Sequence, residues 1–186
     1  MEVYEIRAGT LNDLDEMEQL YDTLCDYLQG GTNYPGYRRG IYPIRANAEK
    51  AVKEGSLFIL RIGSRIAGSV ILDHDVHKAY EQGSWAVKAE NSEVIVISVL
   101  VVHPDFMKQG IGMKLMEFAK LYALEQNAKA IRLDVAVQNG PAIALYEKCG
   151  YSYAGTVDLK TGYDHLIWFR LYELVLNSKE LGISQA

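Results

Sequence analysis

The sequence predicts a single α+β domain, and two observations carry this prediction. Stretches with the pattern of β-strands alternate with stretches of helical periodicity, in the order β, α, α, β, β, β, α, β, α, β, β. The 186 residues, 49% of them hydrophobic, suffice for one core and contain no linker, repeat or low-complexity segment. The strand–helix–strand segment in the middle should cross over right-handed and pair in parallel. We expect the domain to cover residues 1–176 and residues 177–186 to form a flexible tail.

The first half of the chain contains three predicted strands and two predicted helices. The first helix is predicted because apolar residues recur at helical spacing up to Leu28, after which Gly30 and Gly31 end it. A hairpin is predicted because two β-rich runs flank Gly63 and Ser64. The predicted elements are a strand at 3–6, a helix at 11–28, a Gly- and Tyr-rich loop or broken helix at 30–42, a helix at 44–54, and strands at 56–61 and 65–72.

The second half begins with a polar segment, residues 73–92, that lacks periodicity and is predicted to be an insertion or an elaborated loop. The β-branched run that follows predicts a strand buried on both faces. The predicted elements after the insertion are a strand at 93–102, a helix at 107–127, a strand at 130–137, a helix at 142–148, and strands at 151–158 and 165–175.

Composition excludes several classes of protein. A formal net charge of −5 argues against a protein that coats nucleic acid or an anionic membrane. Cys25 and Cys149 lack the spacing of zinc ligands and are expected to be reduced thiols. The first residues are acidic and contain no apolar signal-peptide region, and the most apolar run, 94–102, is too short to span a bilayer. We therefore expect a cytoplasmic protein with neither nucleic-acid nor membrane partners.

The most informative segment is a buried strand that leads through Gly110 and Gly112 into a helix. Such a turn directs backbone N–H groups at one point, at the positive end of the helix dipole, and glycine lets an anion approach the backbone. Lys108 and Lys114 lie close enough in sequence to add positive charge. The segment lacks the Gly-Lys-Ser/Thr of a Walker loop, and Leu115 replaces the third glycine of a dinucleotide fingerprint. From spacing alone, a phosphate-binding turn and a merely tight turn are equally compatible.

Two segments resemble the GNAT superfamily of N-acetyltransferases. Residues 102–112, Val-His-Pro-Asp-Phe-Met-Lys-Gln-Gly-Ile-Gly, resemble motif A, and residues 139–151, from Asn139 to Tyr151, resemble motif B. The resemblance implies a mixed, mostly antiparallel central sheet with a splayed parallel strand pair and helices on both faces. One position departs from the family pattern, because Met107 stands where motif A usually has Arg or Gln.

The resemblance implies that acetyl-CoA is the co-substrate and that no metal takes part. The family's motif A turn wraps the pyrophosphate of coenzyme A, and the strand before it pairs with the pantetheine arm through backbone groups. Asn139 would bind that arm, or would cap the helix that follows it. The coenzyme-binding residues that the resemblance implies are Leu100, Val101, Val102, Lys108, Gln109, Gly110, Ile111, Gly112, Met113, Asn139 and Tyr146.

The resemblance also implies direct attack of an amine on the thioester. Tyr146 matches the tyrosine that commonly donates a proton to the leaving thiolate, although packing in the core is the alternative. The family often places a general base, Glu or His, where this chain has Val96 and Ser98. Val96 cannot act as a base, and Ser98 could only relay a proton through water. Asp134, among apolar residues, is a candidate base with a raised pKa or a structural hydrogen-bond partner. Glu93 is the other nearby carboxylate, and a water chain without a single base is the further alternative.

Aromatic residues are the candidates for the acceptor site, since aromatic walls hold an ammonium or an apolar group. Ordinary packing is the alternative for each, and Tyr80 and Trp85 of the insertion are expected to cover the site. His74 and His77 resemble a metal site by spacing, but a solvated loop is the better interpretation. The candidate acceptor residues are Tyr34, Tyr37, Tyr42, Tyr163 and Trp168.

The leading hypothesis is an acetyl-CoA-dependent N-acetyltransferase acting on the primary amine of a small molecule. Acetylation of a protein N-terminus or a lysine is the second hypothesis, although the Tyr-rich loop and the insertion favour a closed acceptor site. A non-catalytic acetyl-CoA-binding module is the third, motivated by Val96 and Ser98 at the base positions. A homodimer is compatible with the resemblance.

Overall fold

The computed structural model describes residues 3–177 of the chain. Its strands form one mixed sheet in the order β1-β2-β3-β4-β5-β7-β6. The strands are β1 (Tyr4–Ala8), β2 (Leu57–Ile62), β3 (Arg65–Asp73), β4 (Val94–Val102), β5 (Ala130–Ala136), β6 (Ser152–Asp158) and β7 (Trp168–Val175). The helices are α1 (Leu14–Gln29), α2 (Arg45–Lys53), α3 (Ile111–Glu125) and α4 (Gly140–Lys148).

The pairing of the strands confirms the predicted sheet. The pairs β1–β2, β2–β3, β5–β7 and β6–β7 are antiparallel. The parallel pair is β4–β5, whose register runs from Val94 opposite Ala130 to Ile97 opposite Leu133. The remainder of β4, up to Val102, lies beyond that register. A mixed, mostly antiparallel sheet with one parallel pair is therefore what the chain forms.

The chain divides into two compact units. Unit 1 comprises residues up to 72 and residues 98–116, and unit 2 comprises residues 73–97 and those from 117 onward. In unit 1, α1 and α2 bury their apolar stripes against side chains from β2, β3 and the second half of β4, among them Ile59, Ile71, Val99 and Val101. Burial of that many aliphatic side chains is the main stabilising contribution to this unit.

Unit 1 has helices on both faces of its strands, as expected. Ile71 of β3 packs in the same cluster as α1, so Gly68, three residues earlier on the alternating strand, faces the other side. A Cβ on Gly68 would lie 2.8 Å from the carbonyl oxygen of Val101 and 3.0 Å from Cγ2 of Ile111. Glycine at this position therefore allows the first turn of α3 to lie close against the sheet.

Unit 2 has its own apolar cluster, which includes Val96 of β4 and Leu171 of β7. Two residues of the insertion, Ala79 and Tyr80, are buried in this cluster. They belong to a short 3₁₀ helix, Lys78–Gln82. The segment at 73–92, predicted to be polar and irregular, thus contains a helical turn that contributes to the core.

Several predicted element boundaries are wrong. The predicted helix at 107–127 begins only at Ile111, because Lys108 and Gly110 adopt positive φ angles of 61° and 80°. The predicted strand at 165–175 begins at Trp168, and the predicted helix at 11–28 opens with a 3₁₀ turn, Leu11–Asp13. Of the predicted flexible tail at 177–186, all but residue 177 lies outside the described residues.

None of the helices between residues 3 and 177 combines the length and the apolar character that crossing a membrane requires.

Candidate functional site

The turn between β4 and α3, in unit 1, is built mainly from backbone. Gly110 has a φ of 80°, and no atom lies within 4 Å of the position that a Cβ would take there. The first hydrogen bond of α3 runs from the N–H of Lys114 to the carbonyl of Gly110, at 3.1 Å. The N–H groups of Ile111 and Gly112, in the first turn, therefore have no acceptor within the helix. The turn presents backbone donors beside open space.

Side chains brace this turn on its outer side. The Arg65 guanidinium binds the Asp105 carboxylate at 2.6 Å and lies 5.0 Å from the centre of the Phe106 ring. The His103 ring accepts a hydrogen bond from the N–H of Asp105 at 3.1 Å, and Gln109 Nε2 donates to the carbonyl of Asp105 at 2.9 Å. These contacts hold the segment before Gly110 in one conformation.

The turn fits a pyrophosphate group. Two helix-terminal N–H groups, the positive end of a helix dipole and a glycine with open space outside its backbone are what an anion of that kind needs. The remaining coenzyme candidates of the turn differ in exposure: Ile111 is buried, Met113 is 36% exposed, and Lys108 is exposed. The backbone of Lys108 also has a positive φ. The ammonium group of Lys114 lies 4.2 Å from the centre of the Tyr4 ring.

Met107, the departure from motif A, directs its side chain toward the protein interior. It packs against the apolar cluster of unit 1. On the strand before the turn, Val101 is buried in the same cluster, whereas Leu100 and Val102 are half-buried and Ser98 is exposed. Side chains alternate along a strand, so Ser98, Leu100 and Val102 share the face opposite to Val101.

In unit 2, Asp134 of β5 is joined to a residue of the insertion. The hydroxyl of Tyr80 donates to Oδ1 of Asp134 at 2.8 Å. Burial raises the pKa of the Asp134 carboxyl group above its usual range, while the hydrogen bond from Tyr80 and the nearby His77 act in the opposite direction. Burial, together with the negative charge of Asp134, holds the pKa of Tyr80 well above that of a free tyrosine.

Tyr146 and Asn139 both lie at α4. Tyr146 is buried, with its ring 6.1 Å from that of Tyr151 and 6.4 Å from that of Tyr172. Burial, then the charge of Asp134, raises the pKa of Tyr146 above its usual value, so the phenol keeps its proton at neutral pH. Asn139 caps α4, because its side-chain oxygen accepts from the N–H of Ala142 at 3.3 Å.

The other candidates for proton transfer or metal binding have different surroundings. Glu93 forms an ion pair with Lys129 at 2.7 Å, and Val96 is part of the core of unit 2. His74 and His77 are exposed; the ring of His74 lies 2.7 Å from the carbonyl of Val94, and His77 caps the 3₁₀ turn of the insertion. Between residues 3 and 177 no three His, Cys, Asp or Glu side chains are grouped so as to hold a metal ion.

The aromatic acceptor candidates fall into both units. In unit 1, Tyr37 and Tyr42 meet edge to face at 5.6 Å and pack against the apolar cluster, while Tyr34 is 40% exposed. In unit 2, Tyr163 and Trp168 are 38% and 54% exposed, with the Tyr163 ring 5.9 Å from that of His165.

Sequence reasoning missed the partnership of Tyr80 with Asp134 and a buried ion pair beside it. Arg132 of β5 and Glu173 of β7 face each other in the register, with Nε and Oε1 3.1 Å apart and both side chains almost fully buried. A signal was available: Arg132 and Asp134 interrupt an otherwise apolar strand two residues apart, hence on one face. Charges in such a strand require partners.

The fold agrees with comparisons to known proteins. The model of the acetyltransferase (GNAT) family matches residues 17–151. A structure from Salmonella typhimurium that contains acetyl-CoA superposes with a TM-score of 0.67 at 13% identity, covering 94% of each chain.

Three relatives are similar in sequence. An uncharacterised N-acetyltransferase of Methanocaldococcus jannaschii is 27% identical over 157 residues, 81% of this chain. A streptothricin acetyltransferase of Escherichia coli is 37% identical over 70 residues, 38% of this chain. A Bacillus subtilis protein named for N-acetylation of an alanine of ribosomal protein bS18 is 29% identical over 86 residues, 46% of this chain. The matched segments span 62%, 40% and 54% of these relatives.

Proposed function

Because the chain belongs to the acetyltransferase (GNAT) family, we propose that it is an N-acetyltransferase that moves the acetyl group of acetyl-CoA directly to a primary amine. The observation that carries this proposal is the turn before α3, where Gly110 leaves open space beside the first N–H groups of a helix. The turn would bind the pyrophosphate through Gly110, Ile111, Gly112 and Met113, with Lys108 and Gln109 at its rim.

Acetyl-CoA supplies a thioester, which an unprotonated amine attacks. Asp134 would accept the proton of the amine: its Oδ1 is engaged by Tyr80, and Oδ2 remains for this task. The raised pKa of Asp134 favours this role, because a base with a pKa closer to neutrality binds a proton more readily. Ser98, exposed on β4, would relay protons through water.

Tyr146 would donate a proton to the departing sulfur. Burial keeps its phenol protonated, so it can donate a hydrogen bond to the sulfur as negative charge develops there, while its raised pKa makes Tyr146 a weaker acid than a free tyrosine. The backbone of Leu100, Val101 and Val102 would align the pantetheine arm, and Asn139, the N-cap of α4, would bind that arm. Alignment of the reacting groups would supply much of the acceleration.

The acceptor in this proposal is a small molecule, which the aromatic candidates Tyr34, Tyr37, Tyr42, Tyr163 and Trp168 would contact. The similarity to a streptothricin acetyltransferase supports such an acceptor, because that relative is named for an acceptor other than a protein. The second candidate is the N-terminus of a protein, which the relative named for ribosomal protein bS18 favours.

The test is an acetyl-transfer assay. Purified protein is mixed with acetyl-CoA and either a panel of small primary amines or peptides with free N-termini, and free thiol is measured against blanks without acceptor. Thiol release that depends on a small amine supports the proposal. Release with peptides alone replaces the small-molecule acceptor by a protein, and acetyl-CoA binding without release in any panel indicates a non-catalytic binding module.

A further inference from the structure

The insertion at 73–92 is anchored to the sheet of unit 2 by a buried ion pair. Glu173 Oε1 binds Arg132 Nε at 3.1 Å, while its Oε2 accepts from the N–H of Ala86 at 2.7 Å. Arg132 Nη2 donates to the carbonyl of Val87 at 2.7 Å. Each partner of the ion pair therefore also forms a hydrogen bond with the backbone of the insertion. Such bonds to charged groups are stronger than neutral ones.

Trp85 connects this anchor to Tyr80. The Arg132 guanidinium lies 4.3 Å from the centre of the Trp85 ring, and Trp85 Nε1 donates to the carbonyl of Tyr80 at 2.7 Å. The two aromatic rings are 5.5 Å apart. Gly83 makes room for this arrangement, because a Cβ there would lie 2.5 Å from Cε2 of Trp85. The position of Tyr80 is thus fixed through both its backbone and its ring.

The hydroxyl of Tyr80 reaches Asp134 from this fixed position. Tyr80 is almost fully buried, and among residues 3–177 it is the one donor to the Asp134 carboxyl group. The bond engages Oδ1 and so determines how the plane of the carboxylate is turned. Nothing in a simple packing role for the insertion requires a tyrosine here, since phenylalanine would fill the same apolar cluster.

We propose that Tyr80 is a positioning residue for acetyl transfer, and that the insertion serves to hold its hydroxyl against Asp134 so that Oδ2 faces the amine. This inference rests on the proposed function, in which Asp134 is the base. A hydrogen bond from Tyr80 also stabilises the carboxylate form in a site where burial disfavours it. The insertion therefore tunes the base as well as orienting it.

Several other groups influence the charge state of Asp134, and all of them are retained in a Tyr80→Phe variant. His77 of the insertion lowers its pKa, and Tyr146 of α4 interacts with it electrostatically. Arg132 lies two residues earlier on the same face of β5, where Glu173 of β7 balances its charge. Asp73 contributes to the electrostatics of Tyr80 itself.

The test titrates Asp134 directly. The carboxyl carbons of aspartate are labelled with ¹³C, the Asp134 signal is identified by its loss in Asp134→Asn, and its pKa is followed by NMR in the wild type and in Tyr80→Phe. Removal of the donor should raise the pKa of Asp134 by about one unit, which corresponds to about 1.4 kcal/mol, because the carboxylate loses a hydrogen bond that stabilises its charged form. Tyr27→Phe, which removes an exposed hydroxyl on α1, is the matched control and should leave it unchanged.

Kinetics provide the second readout. The acidic limb of the pH profile of kcat/KM should move to higher pH in Tyr80→Phe by the same amount, because the base must be deprotonated, while KM for acetyl-CoA stays constant. Trp85→Phe keeps the Tyr80 hydroxyl but removes the hydrogen bond from Trp85 Nε1 to the Tyr80 carbonyl. It should move the acidic limb in the same direction by a smaller amount. This variant also keeps the test usable if Tyr80→Phe folds poorly.

The outcomes are distinguishable. An unchanged pKa of Asp134 in folded Tyr80→Phe overturns the inference, and so does an unmoved pH profile despite a shifted pKa. If the wild type transfers no acetyl group to any acceptor, the proposed function fails, yet the NMR titration still decides whether Tyr80 controls Asp134. If Asp134→Asn transfers acetyl groups at the wild-type rate, Asp134 is not the base and Tyr80 has no positioning role in the reaction.

Discussion

The turn before α3 in unit 1 and the Tyr80–Asp134 pair in unit 2 are two functional candidates built in opposite ways. The turn offers backbone N–H groups, and its key residue is Gly110, which has no side chain. The pair consists of two side chains, a buried Tyr80 and a half-buried Asp134, and Trp85 links Tyr80 to the ion pair of Arg132 and Glu173. A backbone-built site tolerates changes of most side chains, whereas a side-chain-built site depends on each of its members.

This difference also decides what a sequence reveals. The turn lies within a dozen consecutive residues, so strand pattern, glycine spacing and helix pattern together predicted it. The pair joins residues 54 positions apart, and the bond from Ala86 to Glu173 joins residues 87 positions apart. Such partners share no local pattern, because only the folded sheet brings β5, β7 and the insertion together.

The largest expected effect of a side-chain change is at Asp134. Asp134→Asn keeps the shape and can still accept from Tyr80, but it cannot take a proton at neutral pH. We expect kcat to fall about 10³-fold, within the usual range for loss of a general base, with the affinity for acetyl-CoA unchanged. Steady-state kinetics at saturating acetyl-CoA measures this. A fall of less than threefold would remove Asp134 from the mechanism and leave a water chain as the route for the proton.

Glu173→Gln should produce the next largest effect, on stability. It leaves the almost fully buried Arg132 without a countercharge, and we expect the free energy of unfolding to fall by about 3 kcal/mol. The control is Glu49→Gln, which breaks an exposed pair with Lys53 and should leave the free energy of unfolding almost unchanged. Urea denaturation of both variants gives the comparison. Equal losses would show that the buried ion pair is no more important than a surface pair.

Tyr146→Phe should lower kcat about 10²-fold, because the departing sulfur would lose its proton donor. Its buried ring would remain, so stability should change little. Thiol release at saturating substrates, together with a melting temperature, separates the two effects. A variant with full activity would assign Tyr146 to packing, the alternative that its ring contacts with Tyr151 and Tyr172 also fit.

The smallest effect is expected within the turn itself, at Gln109. Its amide donates to the carbonyl of Asp105, outside the row of backbone donors. Gln109→Ala should weaken acetyl-CoA binding by no more than about threefold, the value of less than one neutral hydrogen bond. Isothermal titration measures the dissociation constant. A loss comparable to that of Asp134→Asn in kcat would mean that side chains, and not the backbone, form this part of the site.

The sequence predicted the fold more completely than the candidate site. Every strand and α-helix was predicted, and errors were confined to ends, as at Lys108, whose positive φ delays the start of α3. The insertion was the main exception, because its polar composition gave no indication that Tyr80 is buried. A hydroxyl group can be buried in a core when it has a hydrogen-bond acceptor, which Asp134 provides for Tyr80. The roles of the candidate residues stay predictions.

Titration calorimetry shows whether the turn before α3 binds acetyl-CoA through its backbone. Wild type, Gly110→Asp and Gly63→Asp are titrated with acetyl-CoA. Gly63 is the matched control, since it also has a positive φ and open space, but lies in the β2–β3 turn of the same unit. We expect the wild type and Gly63→Asp to bind with equal micromolar affinity, and Gly110→Asp to lose at least about 10²-fold, because its carboxylate occupies and repels the pyrophosphate position. Equal binding by all three proteins, or no binding by the wild type, would show that the turn does not bind acetyl-CoA through its backbone.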